Sequence, residues 1–424
     1  MSSFTAEVYQ NEYLPAGGSE VNAIVTVTSG AGGEPAKRPD AAEILIVDTS
    51  GSMEVPRGKI KAAREAIAVA IDCVRDGVAF GLIAGTDKAR EVYPSGGAMA
   101  IADDHTRQEA KRVAEKLRAQ GGTAMGSWLT LAGALFDTAP GRVCHAILLT
   151  DGENLHETPE QLDAVLAACE GRFQCDCRGV GADWQVSELK RIASALLGTV
   201  DIIPDPTGMA ADFRSMMETA MGKATQNVSL RVWTPQDART GLVRQVAPTI
   251  EDLTDRGTQV DERVTDYPTG TWGRESRDYH LCVHVPARSV GEEMLAARVS
   301  LVENNEVLSR GLIRAIWTDD EQLSTHISRE VAHYTGQAEL AQCIQEGLWA
   351  RKAGDQATAT FKLGRAVRLA SESGNDGTLR LLQTVVDIDD PETGTVRLRR
   401  EVADVDEMAL DSRSTKTVRV GPAP

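Results

Sequence analysis

The chain has 424 residues, which is too many for one compact core, so two or three domains are expected. Its hydrophobic content of 42% and its charged content of 25% are ordinary for a globular protein. The formal net charge of −17 disfavours non-specific binding to nucleic-acid backbones and to anionic membrane surfaces.

The start of the chain and its cysteines predict a cytoplasmic protein. The first seven residues show neither the basic nor the apolar region of a secretory signal, and no stretch has the apolar length of a membrane-spanning helix. Seven cysteines without a spacing framework indicate reduced thiols. Cys175 and Cys177 share one face of a predicted strand, where packing is favoured over a metal or redox role.

Residues 1–40 predict strands and then a linker. Strands are expected at 6–9 and at 20–29, where apolar residues alternate from Val21 to Val27. The stretch from Gly30 to Pro35 contains three glycines and predicts a flexible connector.

Residues 41–222 alternate between apolar strands and helical patterns. The strands are predicted at 44–47, 78–83, 90–93, 143–149, 172–180 and 200–203. The helices are predicted at 56–74, 105–119, 127–138, 158–169, 186–197 and 207–221. This alternation indicates an α/β domain with a doubly wound, mostly parallel, Rossmann-like sheet and helices on both faces.

Small oxygen-bearing side chains follow the two strongest strands and also precede one helix. Asp48, Ser50 and Ser52 come after the strand at 44–47, Asp151 follows the strand at 143–149, and Thr123 precedes the helix at 127–138. The carboxyl ends of parallel strands meet at one edge of a sheet, so these residues are expected to converge. Such oxygen donors suit a hard divalent cation.

These motifs and their order resemble a von Willebrand factor A (VWA) domain with a complete metal-ion-dependent adhesion site. The resemblance covers about residues 41–222 and is closest to an intracellular, bacterial, actinobacterial type. It implies that the three hydroxyls of Ser50, Ser52 and Thr123 ligate the ion. Asp48 and Asp151 would contact it directly or through water. Mg²⁺ is the expected ion, with Mn²⁺ or Ca²⁺ as alternatives, and the ion would bind an Asp or Glu of a protein partner.

Catalytic roles for this region are disfavoured. The spacing from Gly51 to Gly58 and Lys59 is two residues too long for a phosphate loop, and Ile60 stands where Ser or Thr would hold magnesium. His145 falls inside a strand, His156 falls in a loop, and no Lys or Arg clamp has motif-level spacing. We therefore expect a protein that is not an enzyme.

Residues 227–318 predict an antiparallel β-sandwich. Its strands are expected at 228–233, 281–285, 295–302, 307–309 and 312–317. The isolated N-terminal strands need a partner sheet, so the VWA-like domain is expected to be inserted in a discontinuous sandwich, which resembles the arrangement in integrin β chains. The alternative is that residues 1–30 extend the edge of the central sheet.

The last hundred residues predict helices and then a tail. Residues 319–374 form a helical segment in which 339–353 and 355–369 are joined at Gly354, and a cap on the sandwich is favoured over a tetratricopeptide array. Residues 375–424 have mixed charge and predict a mostly disordered tail. Thr415 and Thr417 within it are candidate phosphorylation sites, with a Ser/Thr kinase, a phosphatase or a forkhead-associated domain protein as partners.

Together, these features predict an intracellular, Mg²⁺-dependent protein–protein interaction protein that acts as a signalling or scaffold adaptor. The alternatives are an RNA-associated VWA protein and a subunit of an ATPase or chelatase-like assembly. No membrane partner is expected, and nucleic acid is disfavoured by charge.

Overall fold

The computed structural model describes residues 3–30, 40–55, 58–223, 225 and 228–420. The chain divides into a central unit, Lys37–Gln226, and a flanking unit that combines Met1–Ala36 with Asn227–Pro424. The predicted connector beyond Gly30 and the predicted helix start at Pro56 lie outside the described residues. Within the described ranges, none of the helices is long and apolar enough to cross a bilayer.

Strands of the flanking unit open the chain. They are β1 (Ser3–Gln10), β2 (Tyr13–Leu14) and β3 (Glu20–Gly30).

The central unit follows as an alternation of strands and helices. Its strands are β4 (Ala41–Asp48), β5 (Ala79–Gly85), β6 (Ala89–Tyr93), β7 (Ala100–Ile101), β8 (Val143–Thr150), β9 (Gln174–Val180) and β10 (Val200–Ile203). Its helices are α1 (Lys59–Cys73), α2 (Asp104–Ala114), α3 (Met125–Phe136), α4 (Pro159–Cys169), α5 (Val186–Ala195) and α6 (Met209–Met221).

The central sheet has the order β10-β9-β8-β4-β5-β6, and β7 pairs with β5. The first five of these strands run parallel, whereas β6 is antiparallel to β5. Every residue of β4 is buried, as expected for a central parallel strand covered on both faces. The predicted α/β fold class is confirmed.

The strand order reverses between β4 and β8. After β4 the chain builds β5 and β6 on one side, and it then returns to place β8 on the other side of β4. The loops that leave β4 and β8 therefore diverge and open a crevice at the carboxyl edge, which is where open α/β sheets bind ligands.

The second part of the flanking unit begins with strands. They are β11 (Val228–Trp233), β12 (Arg239–Ala247), β13 (Glu251–Asp252), β14 (Thr258–Asp261), β15 (Val264–Pro268), β16 (Ser276–His284), β17 (Glu293–Glu303) and β18 (Glu306–Trp317). Helices and one hairpin follow as α7 (Glu321–Ser324), α8 (Arg329–Lys352), α9 (Gln356–Glu372), α10 (Asp376–Val385), β19 (Val386–Asp390), β20 (Thr395–Leu398) and α11 (Asp404–Arg413).

The N-terminal strands pair with strands from the second part of the chain. One sheet has the order β1-β3-β16-β12-β13, and the other has the order β14-β15-β11-β17-β18-β2. In the first sheet β3 lies between β1 and β16 and is antiparallel to both. This pairing excludes the alternative in which residues 1–30 extend the central sheet.

The two strands predicted at 307–309 and 312–317 are one continuous strand, β18, which forms a hairpin with β17. Asn304 and Asn305 form the turn with φ angles of 49° and 67°. Asparagine tolerates this left-handed conformation, which suits the right-handed twist of a hairpin.

The prediction of a mostly disordered tail over 375–424 is wrong. Residues 376–413 form α10, the β19–β20 hairpin and α11, and Leu382, Val385, Val396 and Leu410 are buried in one core with α8 and α9. The amino-acid composition misled the prediction of disorder. Charged residues on the outer faces of these short elements outnumber the few apolar residues that pack in the core, so the segment as a whole has a polar composition.

The segment after α11 is also bound to the sandwich. Thr417 donates its backbone N–H to Pro248 O over 3.0 Å and its hydroxyl to Val246 O over 2.7 Å. Val418 O accepts hydrogen bonds from His333 Nε2 over 2.8 Å and from Gln337 Nε2 over 3.0 Å. Phosphorylation of Thr415 or Thr417 stays a prediction, and at Thr417 it would require this segment to detach.

His145 lies inside β8 between two carboxylates, away from the carboxyl edge of the sheet. Its Nδ1 is 2.8 Å from Glu43 Oε1, and its Nε2 is 3.0 Å from Asp176 Oδ2. Burial lowers the pKa of His145, but the two carboxylates outweigh burial and raise this pKa to about 10. The imidazolium therefore links β4, β8 and β9 and has a structural role.

Changing His145 to Gln is expected to lower the unfolding temperature most strongly below about pH 6.5. The folded-state pKa lies above the ordinary value of 6.5, so the stability is fully present below about pH 6.5 and is lost as the pH rises through about 10. Thermal unfolding of wild type and His145→Gln should therefore converge toward pH 10. His105→Gln, at an exposed position, is the matched control. A difference that stays constant from pH 6 to pH 10 would contradict the charged triad.

Candidate metal centre

All five residues predicted for the metal site lie on loops at the carboxyl edge of the central sheet. Asp48 ends β4, and Ser50 and Ser52 follow it into a short 3-10 helix at Gly51–Glu54. Thr123 lies just before α3, and Asp151 comes directly after β8. Both carboxylates are fully buried.

The oxygens of this site are joined by short hydrogen bonds. Ser50 Oγ and Ser52 Oγ are 2.9 Å apart, and Ser52 Oγ donates to Asp151 Oδ1 over 2.6 Å. Asp48 Oδ1 accepts the backbone N–H of Ser50 over 2.7 Å, and Asp48 Oδ2 accepts the hydroxyl of Thr150 over 2.5 Å. One network therefore connects the loops that leave β4 and β8.

Gly152 shows that three of these side chains surround a common point. A Cβ atom on Gly152 would lie 3.2 Å from Ser52 Oγ, 3.4 Å from Thr123 Oγ1 and 3.8 Å from Asp48 Oδ2. Oxygens from the loop after β4 and from the loop that carries Thr123 thus face one small space, which a glycine of the loop after β8 leaves open. These hard oxygen donors fit a divalent cation such as Mg²⁺.

Backbone hydrogen bonds hold the loop that carries Thr123 against the loop that follows β4. Gln120 N donates to Thr49 O over 2.7 Å, and Gly51 N donates to Gly121 O over 3.0 Å. Thr49 is itself fixed to the end of β5, because its N–H donates to Gly85 O over 2.8 Å. The relative position of the two loops is therefore set by main-chain contacts and does not depend on the site side chains.

His156 positions Thr123 from the other side. His156 Nδ1 accepts the N–H of Thr123 over 3.1 Å, and His156 N donates to Thr123 O over 3.0 Å. A Cβ on Gly122 would lie 2.0 Å from the imidazole, so only glycine leaves room for the ring at that position. His156 is a positioning residue that the sequence did not identify.

The start of α3 is capped by the loop after β8. Asn154 Oδ1 accepts the N–H of Met125 over 2.9 Å, and Glu157 Oε1 accepts the N–H of Gly126 over 2.6 Å. Ala124 precedes α3 and offers no capping side chain. A helix that begins with Ala-Met-Gly has no capping side chain of its own and needs a cap from elsewhere in the chain. In the sequence, only this missing cap pointed to the role of residues 154–157.

Lys59 is the most important residue that the sequence analysis missed. Its Nζ lies 2.7 Å from Asp151 Oδ2, and both side chains are buried. A second, weaker contact joins Nζ to the exposed Asp183 at 3.4 Å. The sequence analysis considered Lys59 only as part of a phosphate loop and did not predict this ion pair. Lys59, Ala63 and Ala66 are spaced so that they share the inward face of α1. This helical spacing is the feature of the sequence that could have identified Lys59.

The lysine changes the charge of the site. Asp48, Asp151 and Lys59 together carry one net negative charge, and a divalent cation would make the site net positive. Burial raises the pKa of Asp48 to about 6, although hydrogen bonds from Ser50 and Thr150 oppose this shift. Among the contacts described above, only Lys59 balances the buried negative charge of the site.

Changing Gly152 to Ala is expected to weaken Mg²⁺ binding by more than about tenfold while leaving the fold intact, because the added methyl group would fill the space between Ser52 and Thr123. Isothermal titration calorimetry measures the affinity, and thermal unfolding in EDTA checks the fold. Gly208→Ala is the control, since a Cβ there meets only Ile203 at 3.7 Å. Unchanged Mg²⁺ affinity in Gly152→Ala would argue against a cation at this point.

Changing Lys59 to Met is expected to make the stability of the central unit depend on divalent cation. Loss of one partner from a buried ion pair costs about 3–5 kcal/mol, and a cation beside Asp151 would restore the missing charge. The rise in unfolding temperature between EDTA and Mg²⁺ should therefore exceed that of wild type. Lys61→Met, on the exposed face of α1, is the control. Equal Mg²⁺-induced shifts in Lys59→Met and wild type would contradict this role.

Comparison with known proteins agrees with this architecture. A model of the von Willebrand factor type A domain matches residues 42–202, and a model of the von Willebrand factor type A C-terminal domain matches residues 368–414. An uncharacterized protein from Synechocystis is 29% identical over 220 residues, which are 50% of this chain and 49% of that protein. The chain therefore spans about half the length of this curated relative.

Two solved structures extend over nearly the whole chain. The ArnB paralog VWA2 from Sulfolobus acidocaldarius has a TM-score of 0.59 and 13% identity over 99% of this chain and 100% of that one, which shows a shared fold. A von Willebrand factor type A protein from Catenulispora acidiphila has a TM-score of 0.94 and 49% identity over 99% of this chain and 98% of that one. With this identity over almost the full length of both proteins, the chain belongs to the von Willebrand factor type A family.

Proposed function

We propose that this protein is an intracellular, non-enzymatic interaction protein that binds Mg²⁺ at the site around Gly152 and captures an Asp or Glu of a protein partner. Domains of this family generally take part in protein interactions. The observation that carries the proposal is the convergence of Asp48, Ser52 and Thr123 from two loops on the point beside Gly152, which lies on a third loop.

The oxygen donors of the site suit a hard cation that keeps one coordination position free for an outside ligand. Ser50, Ser52 and Thr123 would contribute neutral hydroxyls, and Asp48 and Asp151 would contribute the two carboxylates. When bound, the ion supplies an exchangeable coordination position that accepts a carboxylate oxygen from outside the protein. The loops that hold these side chains are already fixed by backbone hydrogen bonds, so binding requires little ordering of the chain.

Lys59 favours an anionic partner. Because its ammonium group balances one of the two carboxylates, the cation-loaded site would carry one net positive charge in a setting where Asp48 and Asp151 are fully buried. Buried charges are weakly screened, so the site can attract a carboxylate although the protein as a whole has a net charge of −17.

The groups beside the site support binding over catalysis. Metal-assisted hydrolysis needs a general base within reach of the attacking water. His156 Nδ1 already accepts the N–H of Thr123, and Lys59 Nζ already contacts Asp151 and Asp183. Both groups are therefore committed to holding the loops, which supports a non-enzymatic role.

The thiols support an intracellular location. All seven cysteines are free, and Cys175 and Cys177 are buried in β9 as packed side chains. Unpaired thiols persist in reducing compartments. We place the protein in the cytoplasm as a signalling or scaffold adaptor, with a kinase, a phosphatase or a forkhead-associated domain protein as partner if Thr415 or Thr417 is phosphorylated.

Changing Asp48 to Asn is expected to reduce Mg²⁺ affinity by more than about tenfold and to abolish Mg²⁺-dependent partner capture. Asn keeps the shape of the side chain and removes a buried charge, so folding is preserved. Calorimetry with Mg²⁺ alone tests the metal site. Affinity purification from the native host in Mg²⁺ and in EDTA then tests the partner.

Asp183→Asn is the matched control, because Asp183 is 72% exposed and touches the site only through Lys59. Partner capture that persists in EDTA, or that is equal in Asp48→Asn and wild type, would contradict the proposal. Mg²⁺ binding without any Mg²⁺-dependent partner would retain the metal site and remove the adhesion function.

A further inference from the structure

A second group of metal-binding side chains lies in the flanking unit, on the sheet formed by β1, β3, β16, β12 and β13. It consists of Glu20 on β3 and Cys282 and His284 on β16. Glu20 and His284 are direct cross-strand neighbours, and Cys282 is two residues from His284 on the same face. One carboxylate oxygen, the thiol sulfur and one imidazole nitrogen all lie within 4.8 Å of one another.

The chemistry of this group differs from that of the central unit. A thiolate and an imidazole are the ligands that Zn²⁺ prefers, and a carboxylate often completes its set. Ligand atoms around a tetrahedral Zn²⁺ are separated by roughly 3.5 Å, given bonds of about 2.0–2.3 Å. Small side-chain rotations would bring the three atoms of this group from their present spacing to that distance.

Neighbouring residues orient two of the three side chains. Asn22 Nδ2 donates to Glu20 Oε1 over 3.0 Å, and Asn22 Oδ1 is 2.9 Å from His280 Nε2. On the adjacent strand β12, a Cβ on Gly241 would lie only 2.4 Å from His284 Nε2, so a glycine is needed to admit the imidazole. Hydrogen bonds and close packing that fix the orientation of the ligands are typical of metal sites.

The group is also open to solvent. Cys282 is buried, His284 is half-buried and Glu20 is exposed, so an ion can enter past the carboxylate. Three protein ligands with access from one side leave a fourth position for water. The group therefore has the ligand number and the access of an open zinc site.

We propose that Glu20, Cys282 and His284 form a Zn²⁺ site. On binding, the Cys282 thiol loses its proton to solvent as the Zn–S bond forms, and the imidazole and the carboxylate bind through lone pairs that carry no proton. Cys282 is a free thiol and is available for this bond.

The site would join two parts of the chain that are far apart in sequence. Glu20 precedes the central unit and Cys282 follows it, yet both lie in one sheet of the flanking unit. A metal clip that closes so long a loop restricts the unfolded chain and stabilises the sheet. Zn²⁺ should therefore raise the unfolding temperature through a site that is independent of the Mg²⁺ site.

Titration of the full chain with Co²⁺ as a spectroscopic substitute for Zn²⁺ tests the proposal. The expected result is a thiolate-to-cobalt charge-transfer band that saturates at one equivalent and disappears when Zn²⁺ is added. Cys282→Ser should abolish the band, and Glu20→Gln, at an exposed position, should weaken Co²⁺ affinity by more than about tenfold. Cys73→Ser, at a half-buried thiol of the central unit, and Asp48→Asn should both leave it unchanged.

The results that would overturn the proposed Zn²⁺ site are equally definite. Absence of a thiolate band in wild type, or its persistence in Cys282→Ser, would overturn the site. If Cys282→Ser fails to fold, an unchanged Co²⁺ affinity in Glu20→Gln would overturn it equally. Loss of the band in Cys73→Ser would assign the thiolate to the central unit instead. Thermal unfolding with Zn²⁺ should show a shift in wild type that Glu20→Gln reduces.

Discussion

The structure of the central unit depends on the burial of two carboxylates at the point where the strand order reverses. Asp48 and Asp151 are both fully buried at the ends of the adjacent strands β4 and β8. Burying an unpaired ion costs several kcal/mol, so each carboxylate must find donors within the fold. Asp48 accepts hydrogen bonds from the Thr150 hydroxyl and the N–H of Ser50. Asp151 accepts hydrogen bonds from Ser52 and Lys59. The same two carboxylates therefore take part in the packing of the fold and would bind the cation.

This dual use explains why the surrounding loops are held by other contacts. If the site side chains alone positioned the loops, a change of ligand would move the structure. Main-chain hydrogen bonds between Gln120 and Thr49 and between Gly51 and Gly121 fix the loops separately. His156 holds Thr123 from a third direction. The side-chain oxygens can therefore exchange hydrogen bonds with one another for bonds to a cation while the backbone stays in place.

The flanking unit obeys a different constraint. Its β3 strand lies between β1, which also precedes the central unit in sequence, and β16, which follows the central unit. Alternating inward and outward residues fix the register of that pairing. The same register places Glu20 opposite His284 and makes a shared ligand group on one face.

The sequence by itself determined the α/β class, the approximate bounds of most central elements and the five oxygen-bearing residues that lie together at the carboxyl edge of the sheet, because long apolar strands and turn residues are local signals. It also indicated that the N-terminal strands need a partner sheet. Only the tertiary structure decided that Lys59 reaches Asp151, that His156 holds Thr123 and that Glu20 meets Cys282, because these pairs are 92, 33 and 262 residues apart and no local pattern encodes such contacts. It also decided that residues 376–413 fold, since a few apolar residues such as Leu382 and Leu410 stabilise short elements only when α8 and α9 supply the opposite side of the core.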